Sequence, residues 1–300
     1  MIVVFGSLNV DLVARVPRLP QPGETLKGEW FAMLPGGKGA NQALAASRAG
    51  GDVHLFGSVG RADGLAVAAL RALAQSAVDL AGVVACDAPT GVALIHVDDR
   101  GENCITVVAG ANASARAAQV PDAMLSKQAI LLMQLEVPLD EAASLARRAR
   151  QRGARVVLNA APATRLPRTL LDDVDVLVVN ETEALALCEK ATTDVLDAAH
   201  RLASGSSGSV VVTRGALGAL YVHRGEVGQQ RAASIDVVDT VGAGDAFAGA
   251  LVAALDRGEE FATAIREGVA AGSLACLTSG AQDSLPARDA IAQMAATLAL

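Results

Sequence analysis

Ile130-Leu131-Leu132-Met133 is followed by a segment with apolar side chains at positions 139, 142, 143 and 146, and then by Val156-Val157-Leu158. The two outer segments are short and continuously apolar, as buried strands are, whereas Leu139–Arg152 repeats its apolar residues at the helical period. A strand, a helix and a second strand in this order are typical of a parallel sheet, because parallel neighbours need a crossover connection. This stretch predicts an α/β fold.

Apolar runs of the same kind recur on both sides of this stretch, at Ile2–Phe5, Val53–Phe56, Val176–Val179 and Val210–Thr213. Most are separated by segments of helical period, of which Gly242–Leu255 is the longest apolar example. Continuous apolar strands fit a sheet that helices cover on both faces. Sheets of this type bind ligands beyond the carboxyl ends of their strands, which is where we expect the functional site.

A small β-sheet is predicted apart from the main body. Gly91–Val97 and Asn103–Val108 are strand-like and flank the turn-rich Asp98-Asp99-Arg100-Gly101, which indicates a hairpin, and Leu26–Met33 is a further strand candidate. This insertion covers about residues 12–34 and 90–110. A lid over a cleft and an edge extension or dimer surface both remain open.

Composition narrows the classes of function. The chain has 300 residues, a formal charge of −7 and 2% aromatic residues, whereas nucleic-acid-binding proteins present basic surfaces and aromatic stacking platforms. No apolar stretch reaches the roughly 18 residues of a membrane span. Ile2–Phe5 resembles a buried strand more than a signal peptide. We therefore predict a cytoplasmic protein without a nucleic acid or membrane partner.

The cysteines are Cys86, Cys104, Cys188 and Cys276, far apart and without a CxxC pair. This spacing is typical of reduced thiols in a cytosolic protein, and it favours neither a disulfide framework nor a zinc site. We expect all four to be packing residues.

A glycine-rich turn, Asp239-Thr240-Val241-Gly242-Ala243-Gly244-Asp245-Ala246-Phe247, leads into a predicted helix. Free N–H groups at a helix N-terminus can bind a phosphoryl group or the charge that develops during its transfer. Asp245 would be a suitable base for a hydroxyl that attacks phosphorus. The alternative is a capped helix whose glycines only allow close packing. Phe247 replaces the third glycine of the dinucleotide fingerprint, which disfavours a Rossmann dehydrogenase.

A second glycine cluster, Gly36-Gly37-Lys38-Gly39-Ala40-Asn41-Gln42-Ala43, also opens a predicted helix. Lys38 and Asn41 carry several hydrogen-bond donors and suit a polyhydroxylated ligand, although a solvated helix start would have the same composition. Polar residues follow three of the predicted strands: Asn9 and Asp11, Glu136, and Asn180-Glu181-Thr182-Glu183. Because these strand ends share one sheet edge, the three groups predict one cleft.

These motifs, in this order, resemble the phosphofructokinase-B family of sugar kinases nearly end to end. Each motif is weak alone, but the ordered set is highly specific. The segments that carry the resemblance are Asn9-Val10-Asp11, Gly36 to Gln42, Gly101-Glu102-Asn103, Ala109-Gly110-Ala111-Asn112, Met133-Gln134-Leu135-Glu136, Asn180 to Glu183, Asp239 to Asp245, and Gly280-Ala281-Gln282. The resemblance implies ATP-dependent phosphorylation of the 5-hydroxyl of ribose. It also implies a Rossmann-like, three-layer α/β/α, ribokinase-like fold over residues 1–300, with a β-sheet lid that often forms a homodimer contact.

The resemblance assigns roles to individual positions. Asp245 resembles the catalytic base, and the amides of Gly242, Ala243 and Gly244 resemble the anion hole. The sugar-binding positions are Asn9, Asp11, Gly37, Lys38, Gly39, Asn41, Glu136 and Asp245. The nucleotide-binding positions are Asn180, Thr213, Gly215, Gly218 and Gly244. Glu183 is implied in the placement of Mg²⁺. The positions of an activating monovalent cation, usually K⁺, are Asp239, Val241, Ala275, Thr278, Gly280 and Ser284.

Other substrates and a different class of function also fit the sequence. Val269 stands where relatives often have a polar residue near the adenine, so recognition of the base would depend more on shape and backbone. Another pentose, deoxyribose, fructose or a nucleoside are alternative substrates, and Arg15 and Arg18 leave a phosphosugar open. A sugar-binding regulator without catalysis is the alternative from another class.

Overall fold

The structure is a computed structural model that describes residues 1–61, 63–188, 192–205 and 208–298. The strands in these ranges are β1 (Ile2–Phe5), β2 (Asn9–Arg15), β3 (Trp30–Gly36), β4 (Val53–Gly60), β5 (Asp79–Cys86), β6 (Gly91–Val97), β7 (Asn103–Val108), β8 (Ile130–Met133), β9 (Arg155–Asn159), β10 (Val176–Asn180), β11 (Ser209–Thr213), β12 (Ala219–His223) and β13 (Glu226–Gln230). The α-helices are α1 (Lys38–Arg48), α2 (Gly64–Leu70), α3 (Leu139–Arg152), α4 (Arg168–Leu171), α5 (Glu181–Leu187), α6 (Val195–Gly205), α7 (Ala243–Asp256), α8 (Phe261–Ala275) and α9 (Arg288–Thr297).

The larger sheet has the strand order β13-β12-β11-β10-β9-β8-β1-β4-β5 over the described residues. From β5 to β11 all neighbours are parallel, and β12 and β13 add an antiparallel edge. The chain leaves β1 toward β4 and later returns to its other side through β8, so the direction of winding reverses there. The carboxyl ends of β1 and β8 consequently flank the crevice in which such sheets bind ligands. The predicted α/β fold is confirmed.

Side chains of β1 alternate between two hydrophobic clusters on opposite faces of this sheet. Ile2 and Val4 pack in one cluster with residues of α1, α7, α8 and α9, whereas Val3 and Phe5 pack in the other with residues of α3, α4, α5 and α6. All four are fully buried. A strand without a polar face is stable only between two helix layers, which gives the three-layer arrangement.

Helices α1 and α7 approach each other closely enough to bring distant parts of the sequence together. A Cβ atom on Gly249 would lie 2.4 Å from the Cβ of Ala45, so the helices need a glycine at this crossing. Asn41 and Asp245 each lie four residues before these contact points and therefore on the same helix faces, one turn away. The contact places both polar side chains at one end of the crossing.

The smaller sheet has the order β3-β2-β6-β7. The predicted hairpin is present as β6 and β7, and β2 pairs with β6 in parallel and with β3 in antiparallel orientation. The strand predicted at Leu26–Met33 instead spans Trp30–Gly36. The reason is pairing, because β2 ends at Arg15, opposite Trp30, and begins at Asn9, opposite Gly36.

Two expectations from composition can be compared with the described residues. Every α-helix among them is too short or too polar to cross a membrane. The cysteines are free thiols, and Cys86, Cys188 and Cys276 are partly buried. The prediction of a packing role is wrong for Cys104, which is exposed, because β7 is an edge strand with every side chain exposed.

Candidate active site

The carboxyl ends of β1 and β8 meet the start of α1 through one carboxylate. Oε2 of Glu136 accepts a hydrogen bond from Oγ of Ser7 at 2.5 Å and from the N–H of Lys38 at 3.0 Å. Ser7 Oγ in turn accepts the N–H of Gly39 at 3.3 Å. A Cβ on Gly39 would lie 2.5 Å from the Ser7 nitrogen, so this glycine permits the close approach. Glu136 therefore stabilises the N-terminus of α1 at the sheet edge.

Asp245 is buried in the first turn of α7 and accepts hydrogen bonds on both carboxylate oxygens. Nδ2 of Asn41 donates to Oδ2 at 2.9 Å, and Nε2 of Gln42 donates to Oδ1 at 2.8 Å. Oδ1 of Asn41 accepts a hydrogen bond from Gln282 at 3.0 Å. The structure thus unites the two glycine clusters that the sequence singled out. The carboxylate has a fixed orientation before any ligand binds.

Four carboxyl groups, those of Asp11, Glu136, Glu183 and Asp245, interact electrostatically with the ammonium group of Lys38. Burial, followed by the charges of Glu136 and Asp245, raises the pKa of Asp11 to about 6 against the opposing effect of Lys38. Burial lowers the pKa of Lys38, but the surrounding carboxylates, Asp245 first, outweigh it and raise the pKa overall. The site thus favours the charged form of Lys38 and raises the pKa of the Asp11 carboxyl toward neutrality.

The start of α7 has two glycines with different surroundings: Gly242 precedes the helix and Gly244 lies in its first turn. Gly242 has φ of 80°, and a Cβ there would lie 2.8 Å from the carbonyl oxygen of Ala281, so its conformation and packing both require glycine. A Cβ on Gly244 would meet nothing within 4 Å, which leaves open space beside the first turn of α7. The N–H of Ala243 donates to the Thr240 carbonyl at 3.3 Å. Packing therefore explains why position 242 is glycine, but it gives no reason for glycine at position 244.

Asp239 ties the turn before α7 to the segment after α8. Its Oδ1 accepts the N–H of Val241 at 3.0 Å, and its Oδ2 accepts the N–H of Gly280 at 3.0 Å and the hydroxyl of Ser279 at 3.2 Å. Burial raises the pKa of Asp239, but these hydrogen bonds outweigh it, so the pKa is lowered overall. An ionised carboxylate therefore lies between the two segments predicted to hold a monovalent cation.

The remaining members of that predicted cation set lie in or beside these two segments. Ala275 ends α8, and its carbonyl accepts the N–H of Thr278 at 3.4 Å. Ser284 is buried and donates to the carbonyl of Ala281 at 3.2 Å. Val241 has no side-chain oxygen, so only its carbonyl could bind a cation.

Two of the residues predicted to bind a nucleotide lie at the ends of neighbouring strands. Asn180 and Thr213 are paired in register at the ends of β10 and β11. Asn180 also forms a capping box, since its Oδ1 accepts the N–H of Glu183 at 2.7 Å and Glu183 Oε2 accepts the N–H of Asn180 at 2.8 Å. Burial raises the pKa of Glu183 despite that hydrogen bond and the charge of Lys38. The carboxylate predicted to place Mg²⁺ is thus held at the same sheet edge.

The other residues expected near the nucleotide differ in their freedom to meet a ligand. A Cβ on Gly215 would meet nothing within 4 Å, whereas one on Gly218 would lie 2.0 Å from the carbonyl oxygen of Gln230. Packing against the Gln230 backbone is therefore sufficient to require glycine at position 218, whether or not a nucleotide binds there. Val269 is 5% exposed and belongs to the hydrophobic cluster between α7 and α8, so its side chain packs in the core.

Several polar residues at the site received no role from the sequence. Asn112 is buried and bonds to both backbone groups of Leu8, at 2.9 and 3.1 Å, and to Oδ1 of Asn9 at 2.7 Å. Asn112 follows β7, whereas Leu8 and Asn9 lie at the start of β2, so these hydrogen bonds connect the segment after the small sheet to the segment that leads into it. The other residues of this kind are Ser7, Gln42, Gln134, Asn159 and Gln282. Most lie within motifs quoted above, and Asn159 carries only the weak signal of a polar residue that ends an apolar strand.

A buried carboxylate at a helix N-terminus, with a lysine and further carboxylates that interact with it electrostatically, is an arrangement that suits transfer of a phosphoryl group to an alcohol. The chain belongs to the pfkB family of carbohydrate kinases, whose profile matches residues 1–288. The resemblance predicted from the motifs is confirmed.

Individual relatives extend over the same length. The ribokinase of Haemophilus influenzae is 36% identical over 293 residues, which cover 96% of this chain and 95% of that protein. The structure of Arabidopsis thaliana ribokinase complexed with ribose and ATP superposes with a TM-score of 0.90 at 32% identity and covers 98% of each chain. Phosphofructokinase-2 from Escherichia coli in complex with potassium has a TM-score of 0.80 at 25% identity and covers 98% of this chain and 97% of that one.

Proposed function

We propose that this protein is an ATP-dependent ribokinase, which transfers the γ-phosphoryl group of ATP to the 5-hydroxyl of ribose. The observation that carries the proposal is the Asp245 carboxylate, buried in the first turn of α7 and held by Asn41 and Gln42. The ribokinases of Haemophilus influenzae and Arabidopsis thaliana support ribose as the sugar.

Ribose would bind where the small sheet meets the ends of β1 and β8. Carboxylates accept hydrogen bonds from neighbouring hydroxyls, whereas lysine and amide groups donate to them. The proposed contacts are Asn9, Asp11, Gly37, Lys38, Gly39, Asn41 and Glu136. The hydrogen bonds of Glu136 to Ser7 and to the start of α1 support this arrangement, since they hold the carboxylate before the sugar arrives.

Asp245 would act as the general base. The 5-hydroxyl oxygen forms a bond to the γ-phosphorus, its proton passes to a carboxylate oxygen of Asp245, and the bond from the γ-phosphorus to the bridging oxygen breaks to release ADP. The amides of Gly242, Ala243 and Gly244 would stabilise the charge on the transferring group. The open space beside Gly244 supports this role, because backbone can approach a phosphoryl group there.

The nucleotide would lie along the ends of β10 and β11, near Asn180, Thr213, Gly215 and Gly218. Magnesium, bound with ATP, supplies charge neutralisation on the phosphates. Glu183 fits a role in holding it, since Oε2 is taken by the N–H of Asn180 and Oε1 has no hydrogen bond to any described residue. A carboxylate oxygen of this kind can help to place Mg²⁺ indirectly, through a water molecule bound to the ion.

A monovalent cation, K⁺ in our proposal, would bind beside the turn before α7. The donors would be the Asp239 carboxylate and oxygens of Val241, Ala275, Thr278, Gly280 and Ser284. One carboxylate among carbonyl and hydroxyl oxygens is a suitable donor set for a hard ion of low charge. The potassium complex of Escherichia coli phosphofructokinase-2 supports this choice of ion.

The small sheet would close over the sugar and also join two copies of the chain. Its exposed apolar side chains are Trp30, Phe31, Met33, Leu94, Ile105, Val107 and Val108. Exposed apolar groups on a single sheet favour burial against another protein surface. Sedimentation should show a wild-type dimer and an Ile105→Lys monomer, and a wild-type monomer at micromolar concentration would contradict this part of the proposal.

The function is tested by ADP release from MgATP with ribose, 2-deoxyribose, fructose, fructose phosphate or adenosine, each in K⁺ and in Na⁺. We expect turnover of ribose that K⁺ enhances. Turnover of another substrate alone would retain the kinase and change its substrate. Tight sugar binding without ADP release would instead support the alternative of a sugar-binding regulator.

A further inference from the structure

We propose that Gln42 is a positioning residue that orients the Asp245 carboxylate for proton transfer, and that a buried chain of amides dictates the orientation of Gln42 itself. The inference rests on the proposed function of Asp245 as the base. This chain of amide side chains consists of Gln134, Gln42 and Asn159, and it ends at the main-chain carbonyl of Val178.

The Val178 carbonyl determines the direction of every hydrogen bond in this chain. A carbonyl oxygen can only accept, so Asn159 must face it with Nδ2, which lies 3.2 Å away. Oδ1 of Asn159 then points toward Gln42 and lies 2.8 Å from its Nε2. The opposite rotamer would place two oxygen acceptors against each other in a buried site.

Gln42 consequently has one permitted orientation. Its Nε2 has two hydrogens, and one bonds to Asn159 Oδ1 while the other bonds to Asp245 Oδ1 at 2.8 Å. Its Oε1 accepts a hydrogen bond from Nε2 of Gln134 at 2.7 Å. Gln42 and Gln134 have no exposed surface, and Asn159 is 9% exposed. Rotation of the Gln42 amide would therefore break all three hydrogen bonds without water to replace them.

The neighbouring backbone provides the space for this chain. A Cβ on Gly6, directly after β1, would lie 2.0 Å from Oε1 of Gln134 and 2.7 Å from the Cα of Gly39, so glycine at this position leaves room for the Gln134 side chain as it is placed. Because Asn41 already binds Oδ2 of Asp245, the donor from Gln42 to Oδ1 fixes the second oxygen and hence the plane of the carboxylate. Displacement of a reacting group by about 1 Å can cost about a hundredfold in rate.

The same contacts would be present if the amides only filled the interior, so the test must separate orientation from stability. Gln42→Met keeps the length of the side chain and removes its hydrogen bond to Asp245 together with those to Asn159 and Gln134. Gln134→Met removes only the bond that fixes the Gln42 oxygen. Gln151→Met, at an exposed position on α3, is the matched control.

The experiment measures kcat, the KM for ribose and the melting temperature from pH 5 to 9. For Gln42→Met we expect kcat to fall about 10- to 100-fold, a KM within about threefold of wild type, and an acid limb of the kcat profile at higher pH. Gln134→Met should show a smaller loss of kcat. A folded Gln42→Met with wild-type kcat and pH profile, or with only a lower melting temperature, would overturn the inference.

Gln42→Glu provides a second test if Gln42→Met does not fold. Its carboxyl has nearly the same shape and can donate to Asp245 only when protonated, so its kcat relative to wild type should decline as pH rises. A constant ratio of the two kcat values across the pH range would contradict the role of a donor.

Crystal structures make the test independent of turnover. Asp245 should have one carboxylate orientation in the wild type and more than one in Gln42→Met, and a single unchanged orientation in the variant would overturn the inference. Failure of the proposed function has a different signature, namely a wild-type protein without ribose-dependent ADP release or an Asp245→Asn variant with normal turnover.

Discussion

Nδ2 of Asn41 lies 2.9 Å from Oδ2 of Asp245, although 204 positions separate the two residues in the chain. The close crossing of α1 and α7 makes this possible, because Ala45 and Gly249 are in contact one turn further along the helices. One helix contributes amides and the other contributes the carboxylate. The proposed base is therefore oriented by tertiary packing.

Replacement of Asp245 by Asn should remove the base and keep the shape of the site. We expect kcat to fall by about 10² to 10⁴, the range typical of general base catalysis, with the affinity for ribose mostly retained. Steady-state ADP release and isothermal titration with ribose measure the two effects. Glu259→Gln, at an exposed and distant position, is the control. Turnover near the wild-type value in Asp245→Asn would contradict the assignment.

Ribose affinity should depend on pH through Asp11. Burial first, and then Glu136 and Asp245, raise the pKa of this carboxyl to about 6 in the free protein. Below that pH the group is neutral and has lost an acceptor for sugar hydroxyls, so binding should weaken as pH falls from 7 to 5. Titration calorimetry across this range measures the change. In Asp11→Asn this part of the pH dependence should disappear, and a variant with the wild-type pH dependence would refute the prediction.

Asp11→Asn should also stabilise the protein without ligand. A carboxyl whose pKa rises from 3.8 to about 6 on folding costs stability once it ionises, so stability declines as pH rises through that interval and stays lower above it. At pH 7 to 8 the amide variant should gain about 1–3 kcal/mol. Urea denaturation at pH 7.5 and pH 4 tests this, because the gain should shrink at the lower pH. An equal gain at both values would point to another cause.

Gly244→Ala should separate activity from stability. A Cβ at this position meets nothing within 4 Å, so the folded protein has room for it, and alanine is also the better helix former. The methyl group would nevertheless occupy the space proposed for the transferring phosphoryl group. We expect an unchanged or higher melting temperature and a loss of kcat of about tenfold or more.

Gly64→Ala is a matched control for that variant, since it also begins a helix and has open space around the new Cβ. Its activity should equal that of the wild type. Equal activities in the two alanine variants would remove the support for an anion hole at Gly244.

The strands of the main sheet could be predicted from the sequence because buried parallel strands are continuously apolar, and Ile2–Phe5 and Ile130–Met133 match the predicted bounds. The strand predicted to begin at Leu26 begins at Trp30 instead, because the length of β3 depends on its partner β2 and not on local composition. Cys104 is exposed for a similar reason, since the sequence does not show which strand becomes the edge.

The motifs identified Asp245, Asn41 and Glu136 as candidates, since glycine-rich helix starts and polar residues after strands have recognisable patterns. They could not identify Gln42 as a partner of Asp245 or Asn159 as a partner of Gln42, because those contacts arise from the packing of three separate elements. At Gly218 the motif predicted a role in nucleotide binding, but the structure offers a simpler reason for glycine. The Gln230 carbonyl lies so close that no larger residue fits there.

The contact of Gly249 with Ala45 also has a consequence for synthesis of the chain on the ribosome. The amides of α1 emerge early, but the carboxylate they hold follows about two hundred positions later. Until α7 has left the exit tunnel, a nascent chain contains the residues from Asn9 to Glu136 that are proposed to contact the sugar, and it lacks the proposed base. Incomplete translation products should therefore be unable to consume ATP, since their catalytic group arrives only when most of the domain can fold.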